Sequence, residues 1–214
     1  MEVLVPFATG TPKTRLQPVL STAERRDFAR AMLADVLAAI DATGNDPRVL
    51  STGPIDVDAP VTVDDRPLSE AVNAHLAMRF ADGHSAVEES PDPALAVVMA
   101  DLAIATPAAL ERLFTTAGDI VFAPGRGGGT NAFVTRHPDF RVDYHGTSYL
   151  DHREIARQVG ADVAVVDSYR LATDVDERAD LVEVLTHGGG RSRDFLESAG
   201  FALETTDGRV TVSR

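Results

Sequence analysis

One lysine, three aspartates and a glycine-rich loop carry most of what this chain could do chemically. Lys13 lies in the stretch TPKTR, two residues after the apolar run EVLVPFA, and it is the only lysine; the other nineteen basic residues are arginines, set against 33 acids. An ammonium is a compact point charge that fits between phosphate oxygens, where the planar guanidinium fork is not equivalent. A surface lysine kept by chance accounts for the position equally well on residue types alone. GTPKT is not a P-loop, because the GK[ST] ending is missing and Pro12 lacks a backbone N–H.

Asp101 closes the apolar run ALAVVMAD and offers a carboxylate at a strand end. Asp174 and Asp176 stand two apart in ATDVDE. Asp174 as a helix cap with Glu177 three residues on is one reading of that stretch. Together with Asp101 the pair also suits Mg2+, which takes one or two carboxylates plus substrate phosphates. The loop GRGGGT at 125–130 fails as a dinucleotide fingerprint, since Thr130 replaces the last glycine and an extended segment follows. Its glycines, Gly127 and Gly128 among them, permit close backbone approach to a ligand with N–H groups turned inward. Arg126, Thr130 and Asn131 add side-chain donors. In YHGTS, Gly146 and Ser148 precede a helix and read as an anion-binding helix start, with capping by Thr147 or Ser148 as the competing account. His137, His145 and His152 lack zinc-binding spacing.

These residues need elements to position them. Short apolar runs at 2–8, 94–99, 119–123 and 162–166 read as buried strands, with RVLS, VTV and 132–136 as further extended segments. Helical spacing covers 21–40, where Ser21 and Glu24 form a capping box, then 68–80 with Gly83 as its stop, a helix opened by Thr106-Pro107, and 148–159. Helices at 176–185 and 192–199, a glycine hinge at 188–190, and a hairpin around Asp207-Gly208 complete the chain. The alternation predicts one α/β domain over residues 1–214, a mostly parallel central sheet flanked by helices. In such folds ligands bind at the carboxyl ends of strands, where Lys13, Asp101 and the glycine loop all fall.

Composition narrows the function classes. With no cysteine, disulfides, thiolate metal sites and thiol nucleophiles are excluded. A net charge of −13 argues against nucleic-acid partners. No run suits a bilayer and no secretory signal is legible, so a cytoplasmic protein is expected. The acidic, lysine-poor composition suits high salt, where self-repulsion is screened. The apolar side of the 24–40 helix either packs internally or forms a homodimer.

Taken together, VPF…PKTRL, RRDFARAMLADVL, VMADL, DIVFAPGRGGGTNAFV, FRVDYHGTSYLDH and LATDVDERADL resemble the guanylyltransferases of the 2-phospho-L-lactate type, which serve coenzyme F(420) biosynthesis. The composition matches a haloarchaeal member. The resemblance implies a nucleotidyltransferase domain of the GT-A, molybdopterin-guanylyltransferase-like kind, with GTP and a phosphorylated three-carbon acid as substrates and Mg2+ as cofactor. It implies that Lys13 and Arg15 hold the GTP phosphates, that Asp101, Asp174 and Asp176 bind metal, and that Thr130, Gly146 and Ser148 form the acceptor-phosphate site. Phe7 departs from the family pattern, standing where many relatives carry a second lysine, and so does Ala103, which replaces a proline. Phosphoenolpyruvate, 3-phosphoglycerate or molybdopterin as acceptor, and a non-catalytic GTP-binding regulator, are the alternatives.

Overall fold

The most apolar runs become the centre of the sheet. β1 (Glu2–Phe7), β4 (Leu95–Val98) and β6 (Thr130–Thr135) are buried along nearly their whole length. Strands covered on both faces must be apolar on both. The computed structural model describes residues 1–10, 12–81, 94–206 and 208–214. β2 (Asp46–Ser51), β3 (Val61–Val63), β5 (Ile120–Pro124) and β7 (Val163–Val165) complete a seven-stranded sheet of order β3-β2-β1-β4-β6-β5-β7. All neighbours run parallel except β6, which is antiparallel to both β4 and β5. The expected α/β architecture with a mostly parallel sheet is therefore present.

Side-chain alternation divides the apolar residues between two layers. Val3, Val5, Ala96, Val98, Val121 and Val134 face one layer, together with Phe28, Met32 and Leu33 of α1 (Thr22–Asp41) and Leu110 and Leu113 of α3 (Pro107–Thr115). Leu4, Leu95, Val97, Phe122 and Phe133 face the other, against Val72 and Leu76 of α2 (Leu68–Ala81) and Ala156 of α4 (Ser148–Gln158). Each fully buried Leu or Phe contributes about 1.5–3 kcal/mol relative to exposure, so the two layers outweigh any surface contact. Ser21 caps α1 as its spacing predicts: its Oγ accepts the Glu24 N–H at 3.3 Å, and Glu24 accepts the Ser21 N–H at 2.8 Å. Gly83, the expected stop of α2, and Asp207, expected in the C-terminal hairpin turn, lie outside the described residues.

The C-terminal third corrects several expectations. A short helix, α5 (Tyr169–Ala172), follows β7, and residues 173–177 run on without regular structure. A 3-10 turn, Arg178–Asp180, then leads into α6 (Leu181–His187), so the helix expected from 176 begins at Leu181. α7 (Arg191–Ser198) precedes the antiparallel hairpin of β8 (Ala202–Thr206) and β9 (Arg209–Ser213). Gly188–Gly190 is not a free hinge. Asp35 of α1 accepts the N–H groups of Arg191 and Ser192 at 2.7 and 2.8 Å and pins the start of α7. Among the described residues no helix is long and apolar enough to cross a membrane.

Candidate active site

Three loops converge at the carboxyl ends of β1 and β4. The first runs from β1 to Lys13, which adopts a left-handed backbone (φ +54°) before the 3-10 turn Thr14–Leu16. Leu16 is fully buried and anchors that turn. Lys13 Nζ lies 2.6 Å from Asp101 Oδ2 and 2.7 Å from Asp176 Oδ1, and its side chain is only 11% exposed. Burial works against its charge, but the two carboxylates outweigh burial and raise its pKa above the ordinary lysine value, so the ammonium stays protonated. Arg15 faces solvent, 3.8 Å from Asp176 and 3.7 Å from Glu177. Asp101 has a second role through its backbone, whose carbonyl accepts the Val175 N–H at 3.2 Å and ties the end of β4 to the acid-bearing loop. Its Oδ1 is buried and has no hydrogen-bond partner.

The acid-bearing loop is held from the β5–β6 side. Asn131 Nδ2 donates to Asp174 Oδ1 at 3.1 Å and to the Leu171 carbonyl at 3.0 Å. Burial raises the pKa of Asp174, the charges of Asp101 and Asp176 add to this, and the Asn131 bond opposes it. Asp174 is not a helix cap. The capping-type spacing that forms is Glu177 with Asp180, three residues apart. Asp180 Oδ2 accepts the N–H groups of Asp176 and Glu177 at 3.0 and 2.8 Å, and its Oδ1 accepts from Arg126 at 3.0 Å. Sequence reasoning passed over Asp180. The signal was its spacing from Glu177, hidden by the same spacing between Asp174 and Glu177.

The glycine loop behaves differently from its expectation. The N–H groups of Gly125, Arg126 and Gly128 bond to the carbonyls of Gly129, Ala172 and Gly125, so these three are spent inside the protein. At the start of α4 two N–H groups are taken, Tyr149 donating to the Gly128 carbonyl and Leu150 to that of Thr147, and Thr147 makes no side-chain cap. Ser148 caps nothing either, since its Oγ accepts the Thr130 N–H at 3.1 Å. A tight β5–β6 connection must satisfy its own backbone, and α4 docks on it to do so. A Cβ on Gly127 would meet open space, while one on Gly128 (φ +84°) would lie 3.6 Å from the Thr147 side chain.

Thr130 and Asn131 are strand neighbours and so point to opposite faces. Asn131 joins the acids; Thr130 joins His152, with Oγ1 and Nδ1 2.8 Å apart. His152 Nε2 accepts the Asp143 N–H at 2.9 Å, so the neutral ring carries its proton on Nδ1 and donates it to Thr130. Burial lowers the His152 pKa to about 4. Thr130 and Ser148 are 3% and 5% exposed. Gly146 (φ +51°) lies in the exposed turn just before Ser148.

The cleft at Lys13 has a volume of about 240 Å³ and is lined by Phe7, Pro12, Met32, Met99, Asp101 and Asp176, among others. A larger one of about 720 Å³ opens between α6 and the C-terminal hairpin, but it contains none of the strand-end residues. The chemistry belongs with the smaller cleft. Among the described residues no group of three or more His, Asp or Glu is gathered as a metal cage. What Asp101 and Asp176 do offer is a pair of hard oxygen donors already sharing one cation, Lys13, with an orphaned Asp101 oxygen beside it. Two carboxylates completed by substrate phosphates is a set that Mg2+ accepts.

All of the chain, residues 1–214, matches the family described as Guanylyl transferase CofC like. The chain belongs to this family. A relative from Halomicrobium mukohataei, named 2-phospho-L-lactate guanylyltransferase, is 61% identical over 100% of both chains. One of the same name from Halorubrum lacusprofundi is 58% identical, again over 100% of both. Both are haloarchaeal, in keeping with the acidic, lysine-poor composition. Among solved structures, a protein from Desulfovibrio desulfuricans described as a nucleotide-diphospho-sugar transferase superposes with a TM-score of 0.71. It is 17% identical and covers 93% of this chain and 94% of its own. A nucleotidyl transferase from Methanothermobacter gives 0.56 at 14% identity, covering 92% and 98%. These likenesses establish the nucleotidyltransferase fold for this CofC-like chain. Within that fold the strand-end loops just described are the ones its sequence marked for chemistry.

Proposed function

We propose that this chain transfers GMP from GTP to the phosphate of 2-phospho-L-lactate, giving lactyl-2-diphospho-5'-guanosine and diphosphate. The observation that carries the reading is the meeting of Lys13, Asp101 and Asp176 at the carboxyl edge of the sheet. An acceptor phosphate is already ionised at neutral pH, so no general base is required. One of its oxygens attacks the α-phosphorus in line, and the bond from that phosphorus to the bridging oxygen breaks as diphosphate leaves. What the protein must supply is charge balance and alignment.

Lys13 and Arg15 are the groups to hold the triphosphate. Asp101, Asp174 and Asp176 are the groups to hold Mg2+, which when bound supplies positive charge to the phosphate oxygens. Asn131 orients Asp174, and Asp180 orients Asp176. The acceptor phosphate lies near Gly146, with Thr130 and Ser148 shaping the floor, and Arg126 and the loop at Gly127 and Gly128 beside it. The lactate skeleton is assigned from the relatives' names; the phosphate is the part that residue chemistry addresses. The reaction belongs in the cytoplasm, where its nucleotide substrate is found.

Diphosphate release in molar KCl with Mg2+ and GTP tests the reading, with 2-phospho-L-lactate, phosphoenolpyruvate and 3-phosphoglycerate offered in parallel and ATP as control nucleotide. Release that requires GTP and 2-phospho-L-lactate is expected. A folded, GTP-binding protein that releases nothing with any acceptor is a regulator instead.

A further inference from the structure

Lys13 combines three properties that an ordinary phosphate-binding lysine does not need. Its ammonium is already paired with two carboxylates, at 2.6 and 2.7 Å. Those carboxylates are the very ones best placed to share a divalent cation, with Asp101 Oδ1 buried and unpartnered beside it. And Lys13 is the one non-glycine residue at positive φ among the described residues. Residues with a Cβ adopt that conformation at a cost, which the surroundings must offset. Here the buried Leu16 on one side and the two ion pairs on the other hold it.

We propose that Lys13 is a built-in counter-ion that stands in for the divalent cation between Asp101 and Asp176, so that metal enters only together with the nucleotide. The inference rests on the guanylyl-transfer reading above. A divalent cation arriving alone meets an ammonium in its place, and like charges within a few ångströms repel strongly in a partly buried site. A metal–nucleotide complex brings the remedy with it. Its phosphates offer the ammonium new anionic partners while its metal takes over the carboxylates, so no charge is left unpaired at any stage. A flexible four-carbon stem ending in a point charge can make that exchange. A guanidinium, gripping a carboxylate through a planar two-pronged contact, is poorly suited to it. This gives a physical reason for one lysine in a chain whose other basic residues are all arginine.

Two readouts independent of turnover test this. In the first, Mn2+ binding is followed by electron paramagnetic resonance without nucleotide, for the wild type, Lys13→Met and Arg15→Met. Arg15 carries the same charge in the same loop but stands 3.8 Å from Asp176. Lys13→Met is expected to bind Mn2+ about tenfold or more tightly than wild type, and Arg15→Met much less so. Equal affinity in wild type and Lys13→Met overturns the proposal, as does an equal gain in both variants, which would indicate general charge removal.

The second readout uses the native chain. Lysine labelled with 13C at Cε gives one resonance, because there is one lysine. It is expected to move on addition of Mg2+ with GTP and to stay in place with millimolar Mg2+ alone. Movement with Mg2+ alone to the position reached with Mg2+ and GTP overturns the proposal. Because neither experiment requires an acceptor, failure of the transfer assay with a positive result here removes the acceptor assignment and leaves the counter-ion role standing.

Discussion

Gly125 and Asn131 approach so closely across the β5–β6 hairpin that a Cβ on Gly125 would lie 2.4 Å from Asn131 Oδ1. Glycine is required there by proximity. Its role reaches the acids, because Asn131 is the side chain that holds Asp174. Gly125→Ala is expected to push Asn131 aside, cost about 1–3 kcal/mol of stability, and raise the Mg2+ concentration needed for half-maximal transfer. Steady-state assays across Mg2+ concentrations, beside a urea titration, check both parts. Unchanged Mg2+ dependence would separate Asn131 from the metal site.

Asp180 gathers the backbone N–H groups of Asp176 and Glu177 and the side chain of Arg126. It touches no reacting atom, so its role is to position Asp176. Asp180→Asn keeps the shape but replaces one acceptor oxygen by a donor. A loss of about 10- to 100-fold in kcat/KM is expected, in line with 1.5–3 kcal/mol for hydrogen bonds to a charged group. The circular dichroism spectrum should be unchanged. Near-normal kcat/KM would show that the loop holds Asp176 without it.

Asp101→Asn keeps the backbone tie to Val175, so the fold should survive. Transfer should fall by about 100-fold or more, the usual scale for removing one charge-stabilising group. Activity close to wild type in a folded Asp101→Asn protein removes Asp101 from the metal assignment.

His152 makes stability depend on pH. Its folded pKa of about 4 lies below the ordinary value of 6.5. Between these values the unfolded chain binds the proton and the folded one does not. The contribution of the neutral ring is therefore complete above pH 6.5 and lost as pH falls toward 4, amounting to about 3 kcal/mol in all. Urea unfolding at pH 7, 5.5 and 4.5 at constant KCl should show this decline, and His152→Gln should flatten it. The same slope in the variant would mean that other groups carry the acid sensitivity.

Local chemistry was enough to read most of the scaffold and the reactive residues. Apolar runs five to seven residues long marked β1, β4 and β5; Ser21 with Glu24, and Thr106 with Pro107, marked helix starts. A lone lysine and strand-end acids marked the site. Each of these signals is complete within a few residues. Partnership is different. Lys13 meets Asp101 and Asp176 across separations of 88 and 163 positions, and those meetings follow from a strand order that sets β4 beside β1. The antiparallel entry of β6 likewise turns Asn131 toward the acids and Thr130 toward His152. The stretch around Asp174 looked like a helix start, because capping spacings occur there twice. The long-range bonds from Asn131 and Asp101, together with the local bonds to Asp180, keep it out of a helix, and no local pattern records which distant group will satisfy a given carboxylate.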